Sequence, residues 1–591
     1  MKSNCIIFGA SQSGKTAYRL LEKKYNIIGF ADNDKEKWNQ FMCGVPIINQ
    51  SELSSLESVE IIIASIYYRE IYQQLINMGL NDIRIFYFLG NSASDIGEEF
   101  QLYNISNNKI FDRVNIDWNT IEAIQKDFRK NYVERKDDVQ EEFVQTIRKR
   151  ILFCAYIFPP LGGSGVQRSL KFVKYLREYG YEPIVLTAGK DDGKQGYDEE
   201  LLQELPDDIS IIRIDEEMFL PECLSSTEQQ EIWNLYAGIV ESEEWCDLYY
   251  RVLNSCKSGS GLIPDNKIIW VNRCLRSIEK YIDLNTIDIV YTTGNPFSTY
   301  ILGYYLKKKY GMKWVQDYRD PWIANQYYLD HYCNLSKEME KLQEYLEKRI
   351  VETSDAIIVV AEALICDYIK KYNLTEKKLY TITNGYDEKD FENIRYNQKK
   401  NNRFQLCYNG TIYIDRNPLN VLSNINDLID EGHILKEEIR WIFNGTIQHG
   451  WKQRINDLDK YNIVQYNGYL GHKESIESAI NSDMLVIFGA EGEGSKIVYT
   501  GKIFEYIRMK KPIISFSTKG GVLDKILKET LSGENFEYND DENIKKYILK
   551  YYNEWKNADN KFVVNETEIK RYSREYTTKL LAKVFRVVLE V

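Results

Sequence analysis

Residues 151–176 read ILFCAYIFPPLGGSGVQRSLKFVKYL and combine an apolar strand, a glycine-rich turn and an amphipathic helix, in that order. The strand signal covers Arg150–Ala155, and the helix signal runs from Val166 to Tyr179 with apolar residues along one face. A second strand signal follows at Glu182–Thr187. This order predicts a parallel α/β unit. A glycine-rich turn before a helix can also offer unpaired N–H groups to an anion, although GGSG alone is weak support.

The alternation of strand and helix signals continues along most of the chain. In this half, strand signals ending in small or polar residues recur at Asp288–Thr293, Lys313–Val315, Ala356–Val360 and Tyr380–Thr383. A further set lies at Gln405–Tyr408, Ile439–Phe443, Val464–Tyr466, Leu485–Phe488 and Pro512–Phe516. An N-terminal set lies at Asn4–Phe8, Ile27–Ala31, Ile47-Ile48, Glu60–Ala64 and Ile83–Tyr87. We therefore expect an α/β protein whose ligands bind at the carboxyl ends of strands.

The composition is that of a soluble globular protein. The chain has 591 residues, of which 43% are hydrophobic and 28% charged, enough to form several buried cores. Its net charge of −12 argues against a broad nucleic-acid surface, so we expect no nucleic-acid partner. The ten cysteines and four histidines show no metal-ligand spacing, and no apolar run reaches the ~18 residues of a membrane span. We expect a cytoplasmic protein without a signal peptide or a metal site.

The first strand ends in the loop Gly9-Ala-Ser-Gln-Ser-Gly14, which matches two kinds of nucleotide loop. GxxxxGKT, completed by Lys15, is the phosphate loop of nucleoside triphosphatases. G-x-S-x-x-G, with Ser11 replacing the middle glycine, is a dinucleotide loop, in which Asp32 at the end of the next strand would bond a ribose hydroxyl. We favour the dinucleotide interpretation because the third strand offers no metal-binding Asp. A vestigial binding loop is the other alternative.

Three segments of this region, GASQSGKTAYRLL, IIGFADND and GVPIIN, carry a family resemblance. They resemble the N-terminal Rossmann domain of acyltransferases that acetylate amino sugars on nucleotide carriers, over roughly residues 1–95. The β-helical acetyltransferase domain of that family does not follow. The resemblance implies a nucleotide or nucleotide sugar bound at Gly9, Ser11, Gly14 and Asp32, with Lys15 beside them, but no acetyl transfer.

Six motifs follow one another from residue 158 onward: FPPLGGSGVQRSLKFVKYL, TTGNPFS, DYRDPW, ITNGYD, NGTIY and GKIFEYIRMKKPII. Together they resemble the retaining family-4 glycosyltransferases of the GT-B fold, over essentially all of residues 150–590. The most similar subgroup carries D-[FY]-R-D-P-W. The GT-B fold pairs two Rossmann-like domains and binds a nucleotide-sugar donor in the cleft between them. The resemblance implies that the chain crosses to the second domain at Asn384-Gly385 and returns with the helix Tyr572–Val591.

These observations predict five segments. They are a Rossmann-like nucleotide-binding domain (1–98), a helical connector (99–148), an acceptor domain (149–385), a donor-nucleotide domain (386–570) and a C-terminal helix that returns to the acceptor domain (571–591).

The resemblance also implies a donor site. Glu505 would bond the donor ribose, and Lys502 would lie near the diphosphate. Both can share one helix face, since they are three residues apart. Gly163, Gly165 and Gly410 would bring backbone N–H groups close to the donor. A surface ion pair is the alternative for Lys502 and Glu505.

Three positions depart from the family pattern. Many relatives carry an Arg at the position of Thr411 and a Lys at that of Arg416; Arg416 keeps the charge, with a solvated loop cation as the alternative. The first glutamate of the E-x7-E motif falls on Ile497. Glu491 and Glu493 lie nearby and are candidates to replace it.

The acceptor side lacks a familiar residue as well. Relatives often place a histidine beside the reacting sugar, but none occurs between residues 150 and 330. Asp317, Arg319 and Asp320 occupy the corresponding strand end. We expect Asp320 to orient the acceptor or take its proton, with Asp317 as second choice and Arg319 keeping an aspartate ionised. An Arg–Asp pair that only fastens the loop is the alternative.

The expected function is therefore glycosyl transfer. The resemblance implies a hexosyltransferase that moves a sugar from a nucleoside-diphosphate sugar, with UDP as the expected carrier, to a glycan or polyprenyl-linked acceptor in surface polysaccharide biosynthesis. The mechanism would be retaining and require no metal or other cofactor, and a lipid-linked acceptor would bring the protein to the inner face of the membrane. A GT-B sugar-nucleotide epimerase and a nucleotide-sugar-binding regulatory protein remain alternatives.

Overall fold

The computed structural model describes residues 2–10, 12–56, 59–64, 68–80, 83–88, 100–104, 148–162, 164–189, 198–215, 225–255, 262–323, 337–375, 378–396, 401–412, 416–447, 450–559 and 561–590. The chain forms two compact units. The first is centred on Met1–Asn115, and the second comprises Ile116–Gln326, Leu335–Gln448 and Lys452–Val591.

The first unit contains one seven-stranded sheet. Its strands are β1 (Asn4–Phe8), β2 (Asn26–Asp32), β3 (Phe41–Met42), β4 (Val45–Asn49), β5 (Glu60–Ile63), β6 (Ile83–Phe88) and β7 (Phe100–Asn104). Its helices are α1 (Gln12–Leu21) and α2 (Tyr68–Asn77). The strand order is β3-β4-β2-β1-β5-β6-β7, and all neighbours are parallel except the two edge pairs β3–β4 and β6–β7.

Strands β1, β2, β4, β5 and β6 match the predicted ones to within about two residues, because apolar side chains fill both faces of the sheet. The edge strands β3 and β7 were not predicted. Cys5 and Ile7 point into one core, and Ile6 and Phe8 into the other. β7 pairs with β6 and extends the sheet to Asn104, six residues beyond the predicted boundary at residue 98. The rest of the predicted helical connector, 105–147, lies outside the described residues.

The second unit contains two further sheets. The strands of the first are β8 (Lys149–Ala155), β9 (Tyr181–Ala188), β10 (Ser210–Ile214), β11 (Ile289–Gly294), β12 (Lys313–Tyr318), β13 (Ala356–Val359) and β14 (Leu379–Thr381). Their order is β10-β9-β8-β11-β12-β13-β14, and every neighbouring pair is parallel. The helices are α3 (Ser164–Leu176), α4 (Ser226–Val240), α5 (Glu243–Ser255), α6 (Ile268–Ser277), α7 (Ser298–Tyr310), α8 (Lys337–Thr353) and α9 (Glu362–Tyr372).

The remaining sheet is also entirely parallel in its described strands. They are β15 (Phe404–Asn409), β16 (Ile439–Asn444), β17 (Val464–Gly468), β18 (Met484–Phe488), β19 (Ile513–Phe516) and β20 (Gly533–Phe536), in the order β17-β16-β15-β18-β19-β20. The helices are α10 (Leu419–Asp430), α11 (Trp451–Leu458), α12 (His472–Ile480), α13 (Lys502–Met509), α14 (Val522–Thr530), α15 (Asp541–Lys556), α16 (Glu566–Lys570) and α17 (Arg574–Glu590).

Helix α17 packs with the sheet of β8–β14 although it follows the last sheet in sequence. Leu581 and Phe585 of α17 share a buried cluster with Phe153 and Tyr291 of that sheet. We therefore call the β8–β14 sheet with α3–α9 and α17 the first lobe, and the β15–β20 sheet with α10–α16 the second lobe. Parallel sheets flanked by helices confirm the predicted fold class: α/β, with an N-terminal Rossmann-like domain followed by a pair of Rossmann-like domains.

The chain crosses from the first lobe to the second at Gly385-Tyr386 and returns at residues 572–574, and these two segments lie side by side. Tyr386 N–H donates to the carbonyl oxygen of Tyr572 at 3.0 Å, and Arg574 N–H donates to that of Tyr386 at 2.7 Å. A Cβ on Gly385 would lie only 2.3 Å from the Tyr572 oxygen, which explains the glycine. The two crossing segments thus form a short parallel bridge, which we call the hinge. Among the described helices, none is both long enough and apolar enough to cross a bilayer.

Candidate functional site

Two glycines mark the carboxyl ends of β15 and β16. Gly410 has a φ of +113° and Gly445 a φ of +134°, in a region that side-chain-bearing residues rarely adopt. A Cβ on Gly445 would lie 2.4 Å from the carbonyl oxygen of Gly410, and a Cβ on Gly410 would lie 2.4 Å from Cε of Lys502. Glycine at both positions therefore lets the strand ends approach each other and the side chain of Lys502.

Lys502, the first residue of α13, is a desolvated cation. Its Nζ lies 5.0 Å from the centroid of the Tyr408 ring. Burial lowers the pKa of Lys502 to about 7, the charge of Arg416 acts in the same direction, and Glu505 offsets part of the shift. A pKa this low indicates that the carboxylates around Lys502 in the described part of the chain do not balance its burial. A bound anionic ligand would stabilise the charged form of Lys502 and raise this pKa.

Arg416 brings a second positive charge to the same region. Its Nη1 donates to the carbonyl oxygen of Phe488 at 2.5 Å, which ties the guanidinium to the end of β18. The Phe488 ring contacts the Tyr408 ring, with 5.1 Å between their centroids, and Lys502 lies beside that same Tyr408 ring, so the two cations share one neighbourhood. Two fixed cations at the carboxyl edge of a parallel sheet can stabilise a phosphate or diphosphate.

Glu505 forms an ion pair with His472. His472 is the first residue of α12, Glu505 lies in the first turn of α13, and His472 Nε2 is 2.9 Å from Glu505 Oε1. Burial would lower the pKa of His472, but the hydrogen bond and charge of Glu505, together with the charge of Asp390, raise it to about 9. The imidazole is therefore protonated at neutral pH.

The sequence analysis assigned no role to His472. A histidine at a helix start after a glycine was the available signal, but the contact with Glu505 joins residues 33 positions apart and depends on the fold.

Buried asparagines anchor α12 to the sheet. Asn409 Nδ2 donates to the carbonyl oxygen of Ser475 at 2.8 Å, and Asn444 Nδ2 donates to Ser478 Oγ at 2.8 Å. Asn444 Nδ2 also bonds Asn409 Oδ1 at 2.8 Å. The helix that begins with His472 is thus fixed to the ends of β15 and β16.

Several positions that depart from the family pattern follow strands β15 and β18 closely in the sequence. Thr411 follows Gly410, and its carbonyl oxygen accepts a bond from Tyr408 at 2.8 Å. Ile497 is buried. Glu491 is exposed, and the side chain of Glu493 lies outside the described residues. The replacement of the missing glutamate stays open.

Asp317 is not positioned for direct contact with an acceptor. It is completely buried, and Arg168 binds both of its carboxylate oxygens at 2.7 Å. The hydroxyls of Tyr291 and Thr293 also donate to Asp317, at 2.6 and 3.1 Å. Arg168 continues to the carbonyl oxygen of Thr383, just before the hinge, at 2.8 Å. These contacts favour the alternative of an Arg–Asp pair with a structural role, with Arg168 rather than Arg319 as the partner, and a catalytic role of Asp317 stays a prediction.

Arg319 and Asp320 lie at the end of the same strand but differ from Asp317 in exposure. Arg319 donates to the carbonyl oxygens of Gly294 and Asn295 at 2.8 and 2.7 Å. A Cβ on Gly165, at the start of α3, would lie 2.2 Å from Arg319 Nη1, so this glycine makes room for the guanidinium. The side chain of Asp320 is 49% exposed and lies 3.9 Å from Arg319. Gly163 lies outside the described residues.

No sequence motif pointed to Asp265, which lies just before α6. Its carboxylate accepts bonds from the N–H groups of Phe297 and Ser298 at 2.8 and 3.1 Å and from Ser298 Oγ at 2.7 Å. Burial raises its pKa. Asp265 therefore ties the segment that leads into α6 to the TTGNPFS motif at the start of α7.

A cluster of charges joins the lobes beside the hinge. Three carboxylates, Glu204, Asp387 and Asp390, have oxygens within 4.8 Å of one another. Lys171, on α3, contacts them at 2.6, 2.8 and 2.9 Å, respectively, and Lys174 contacts Glu204 and Asp387. The Lys171 ammonium supplies the positive charge that a metal would bring to these carboxylates. We call these five residues the hinge cluster.

In the first unit, Asp32 is bound by its own surroundings. Its carboxylate accepts bonds from the N–H groups of Ala10 and Asp34 at 2.7 and 2.9 Å. A Cβ on Gly14 would lie 2.0 Å from the carbonyl oxygen of Gly9, so Gly14 permits close packing of α1. These contacts give Asp32 and Gly14 structural roles, and nucleotide binding here stays a prediction. Lys15 is exposed, and Ser11 lies outside the described residues.

Two family models match the chain. Residues 253–390 match Glycosyltransferase Family 4, and residues 1–86 match "C2185-like, N-terminal". The first match covers the motifs TTGNPFS, DYRDPW and ITNGYD and supports the predicted family-4 resemblance for this segment. The predicted resemblance to acetyltransferase Rossmann domains stays a prediction. A search of curated proteins found no match.

Several solved structures are similar over most of the chain. A glycosyltransferase from Rickettsia africae ESF-5 shares 16% identity, with a TM-score of 0.45, 75% of this chain covered and 99% of that one. Sucrose-phosphate synthase from Thermosynechococcus elongatus shares 13% identity, with a TM-score of 0.45; the match covers 75% of this chain and 100% of that one. An α,α-trehalose 6-phosphate synthase from Burkholderia multivorans shares 8% identity, with a TM-score of 0.46; the match covers 75% of this chain and 98% of that one. Similarity at this level carries no information about activity.

Proposed function

We propose that this protein is a glycosyltransferase that moves a sugar from a nucleoside-diphosphate sugar, with UDP as carrier, to a glycan or polyprenyl-linked acceptor. The observation that carries the proposal is the desolvated Lys502 beside Arg416, with Glu505 one helical turn away. The family-4 match of residues 253–390 supports it.

The chemistry explains why these groups belong together. Breaking the anomeric bond leaves negative charge on the diphosphate, and fixed cations in a desolvated site stabilise that charge as it develops. Lys502 and Arg416 would perform this role. The Glu505 carboxylate would accept hydrogen bonds from the ribose hydroxyls, with Gly410 giving the phosphates access to backbone N–H groups.

The first lobe would supply the acceptor side. Asp320 is the half-exposed carboxylate at the end of β12, so we assign to it the orientation or deprotonation of the acceptor hydroxyl. Arg319 would hold the strand end through its bonds to the TTGNPFS loop. Gly163 and Gly165 would let the donor approach the start of α3.

The finer features of the proposal follow the family resemblance. They are transfer of a hexose with retention of configuration, neutralisation of the leaving group by protein cations rather than a metal, and a role in surface polysaccharide biosynthesis. The first unit would bind a nucleotide or nucleotide sugar through the Gly9–Gly14 loop.

The test combines binding and turnover. UDP and UDP-sugars should raise the melting temperature of the protein, and UDP release with an acceptor should persist in EDTA. Lys502→Met and Glu505→Gln should lose UDP binding, whereas Lys546→Gln, which removes an exposed lysine on α15 of the same lobe, should not. Unchanged UDP affinity in both site variants would refute the proposal. NMR of a UDP-sugar without acceptor distinguishes an epimerase, and ATP hydrolysis abolished by Lys15→Ala would indicate a nucleoside triphosphatase.

A further inference from the structure

We infer that His472 is a positioning residue for nucleotide binding: through its contact with Glu505 Oε1, it holds the Glu505 carboxylate in the orientation that accepts the ribose hydroxyls. The inference rests on the proposed function. It adds a residue that no motif or comparison indicates.

The contact geometry is the first argument. His472 Nε2 engages one oxygen of Glu505, Oε1, at 2.9 Å, which leaves the second oxygen for a ligand. Glu505 is 28% exposed and His472 46%, so the pair reaches solvent and is accessible to a ligand. Without His472, the three-torsion side chain of Glu505 would sample several rotamers and lose this preorganisation.

The rigidity of the surroundings is the second argument. His472 and Glu505 both lie in the first turn of a helix. Helix α12 is fixed to the sheet by Asn409 and Asn444, and the hydroxyl of Tyr506 on α13 accepts a bond from Asn409 N–H at 2.9 Å. The two partners therefore stand on one rigid frame.

The charges around His472 determine how the pair responds to pH. Glu505 on α13 and Asp390 after the hinge favour its protonated form, and Lys171 on α3 opposes it. Glu505 also interacts with Lys502 on its own helix and with Arg574 on α17, a buried arginine whose Nη1 has no hydrogen-bond partner among the described residues. Loss of the His472 proton would leave Glu505 without its charge-assisted bond.

Uridine is the probe that isolates this pair, because it carries the ribose but no phosphate for Lys502 and Arg416. Its affinity for the full-length protein should be steady from pH 6 to 8 and fall several-fold through about pH 9. In His472→Gln, which keeps an N–H donor but cannot titrate, only the smaller fall caused by ionisation of the uracil N3–H of uridine itself should remain. In His472→Ala, it should bind about tenfold more weakly at pH 7.

His433→Gln is the matched control, since that histidine belongs to the same lobe and pairs with Glu431 at 3.6 Å. Its uridine profile should be that of the wild type. Wild-type uridine affinity in His472→Ala, or a fall in affinity near pH 9 that is as steep in His472→Gln as in the wild type, would overturn the inference while leaving UDP binding intact. Failure of the wild type to bind both UDP and uridine would overturn the proposed function with it. Melting curves establish that each variant is folded.

Discussion

The side chain of Lys502 occupies the space that any side chain at Gly410 would need: a Cβ there would lie 2.4 Å from Lys502 Cε and 2.7 Å from Nζ. The lysine that we assign to the diphosphate is therefore placed by the absence of a side chain on a different element. This relationship explains why a glycine follows β15: any larger residue there would displace Lys502.

Gly410→Ala should displace the Lys502 ammonium and weaken UDP binding by at least tenfold, about 1.4 kcal/mol. The matched control is Gly432→Ala, because Gly432 also has a positive φ, +75°, but no atom lies within 4 Å of its Cβ position. Both variants carry backbone strain of roughly 1–2 kcal/mol, visible in urea unfolding. Calorimetric titration should show loss of UDP affinity in Gly410→Ala alone. Equal losses in both variants would contradict the assignment.

UDP affinity should fall as the pH rises above about 7. In the free protein, burial and Arg416 hold the pKa of Lys502 at about 7, so the ammonium becomes neutral above that pH, while bound diphosphate raises the pKa. Lys502→Arg should bind UDP with a flatter pH profile. Uridine should show no step near pH 7.

The same shift has a consequence for stability. A lysine whose pKa is lower in the folded than in the unfolded state destabilises the fold while it is charged, and this penalty disappears as the pH rises from about 7 toward 10. Lys502→Met should therefore raise the melting temperature at pH 6 while abolishing UDP binding. A lower melting temperature would show that Lys502 has a structural role.

Substitution of Asp317 should lower stability, whereas substitution of Asp320 should lower activity. Asp317→Asn leaves the buried Arg168 without its bidentate partner and should lower the free energy of unfolding by about 3–5 kcal/mol. Asp320→Asn should change it by no more than about 0.5 kcal/mol and lower kcat by a factor of about 10² or more. Urea unfolding and turnover measured on both variants test this division. A stable Asp317→Asn with lost turnover would reverse the two roles.

The strands of all three sheets could be predicted largely from the sequence, because parallel strands buried on both faces are continuous apolar runs bounded by glycine or polar residues. The strands β3, β7, β10 and β20 were missed. Each is a short strand at the edge of its sheet, and β7, β10 and β20 mix polar with apolar residues. The helices α4–α6 lie between the strand signals at Glu182–Thr187 and Asp288–Thr293, where no element was predicted.

The site was predictable only where a motif carried it. Lys502 and Glu505 belong to one helix, so their proximity follows from local sequence. Arg168 and Asp317 are separated by 149 positions, and His472 and Glu505 by 33; these pairs meet only through the fold. The exposure of Asp320 and the burial of Asp317 likewise depend on the elements packed against β12, to which the DYRDPW motif gives no clue.

The hinge cluster should make the joined lobes sensitive to acid. Lys171, Lys174 and the Tyr175 hydroxyl hold the pKa of Asp387 well below its usual range, although burial opposes the shift. A carboxylate with a lowered folded-state pKa contributes stability above its unfolded pKa of about 4 and loses it as the pH falls further. Asp387→Asn should therefore destabilise the protein at pH 7 by about 3–5 kcal/mol, because the buried Lys171 loses one of its carboxylate partners. The variant should also lose less stability than the wild type when the pH falls below 4.

Asp540→Asn is the control, since Asp540 also pairs with a lysine, Lys519 at 3.2 Å, but on the surface of the second lobe. Its unfolding midpoint in urea should stay close to that of the wild type, because exposed ion pairs contribute little to stability. Because the hinge cluster links α3 to the segment after the crossing, Asp387→Asn should also slow glycosyl transfer while uridine, bound by the second lobe, keeps its affinity. Equal loss of uridine binding would mean that Asp387 supports the second lobe itself rather than its connection to the first.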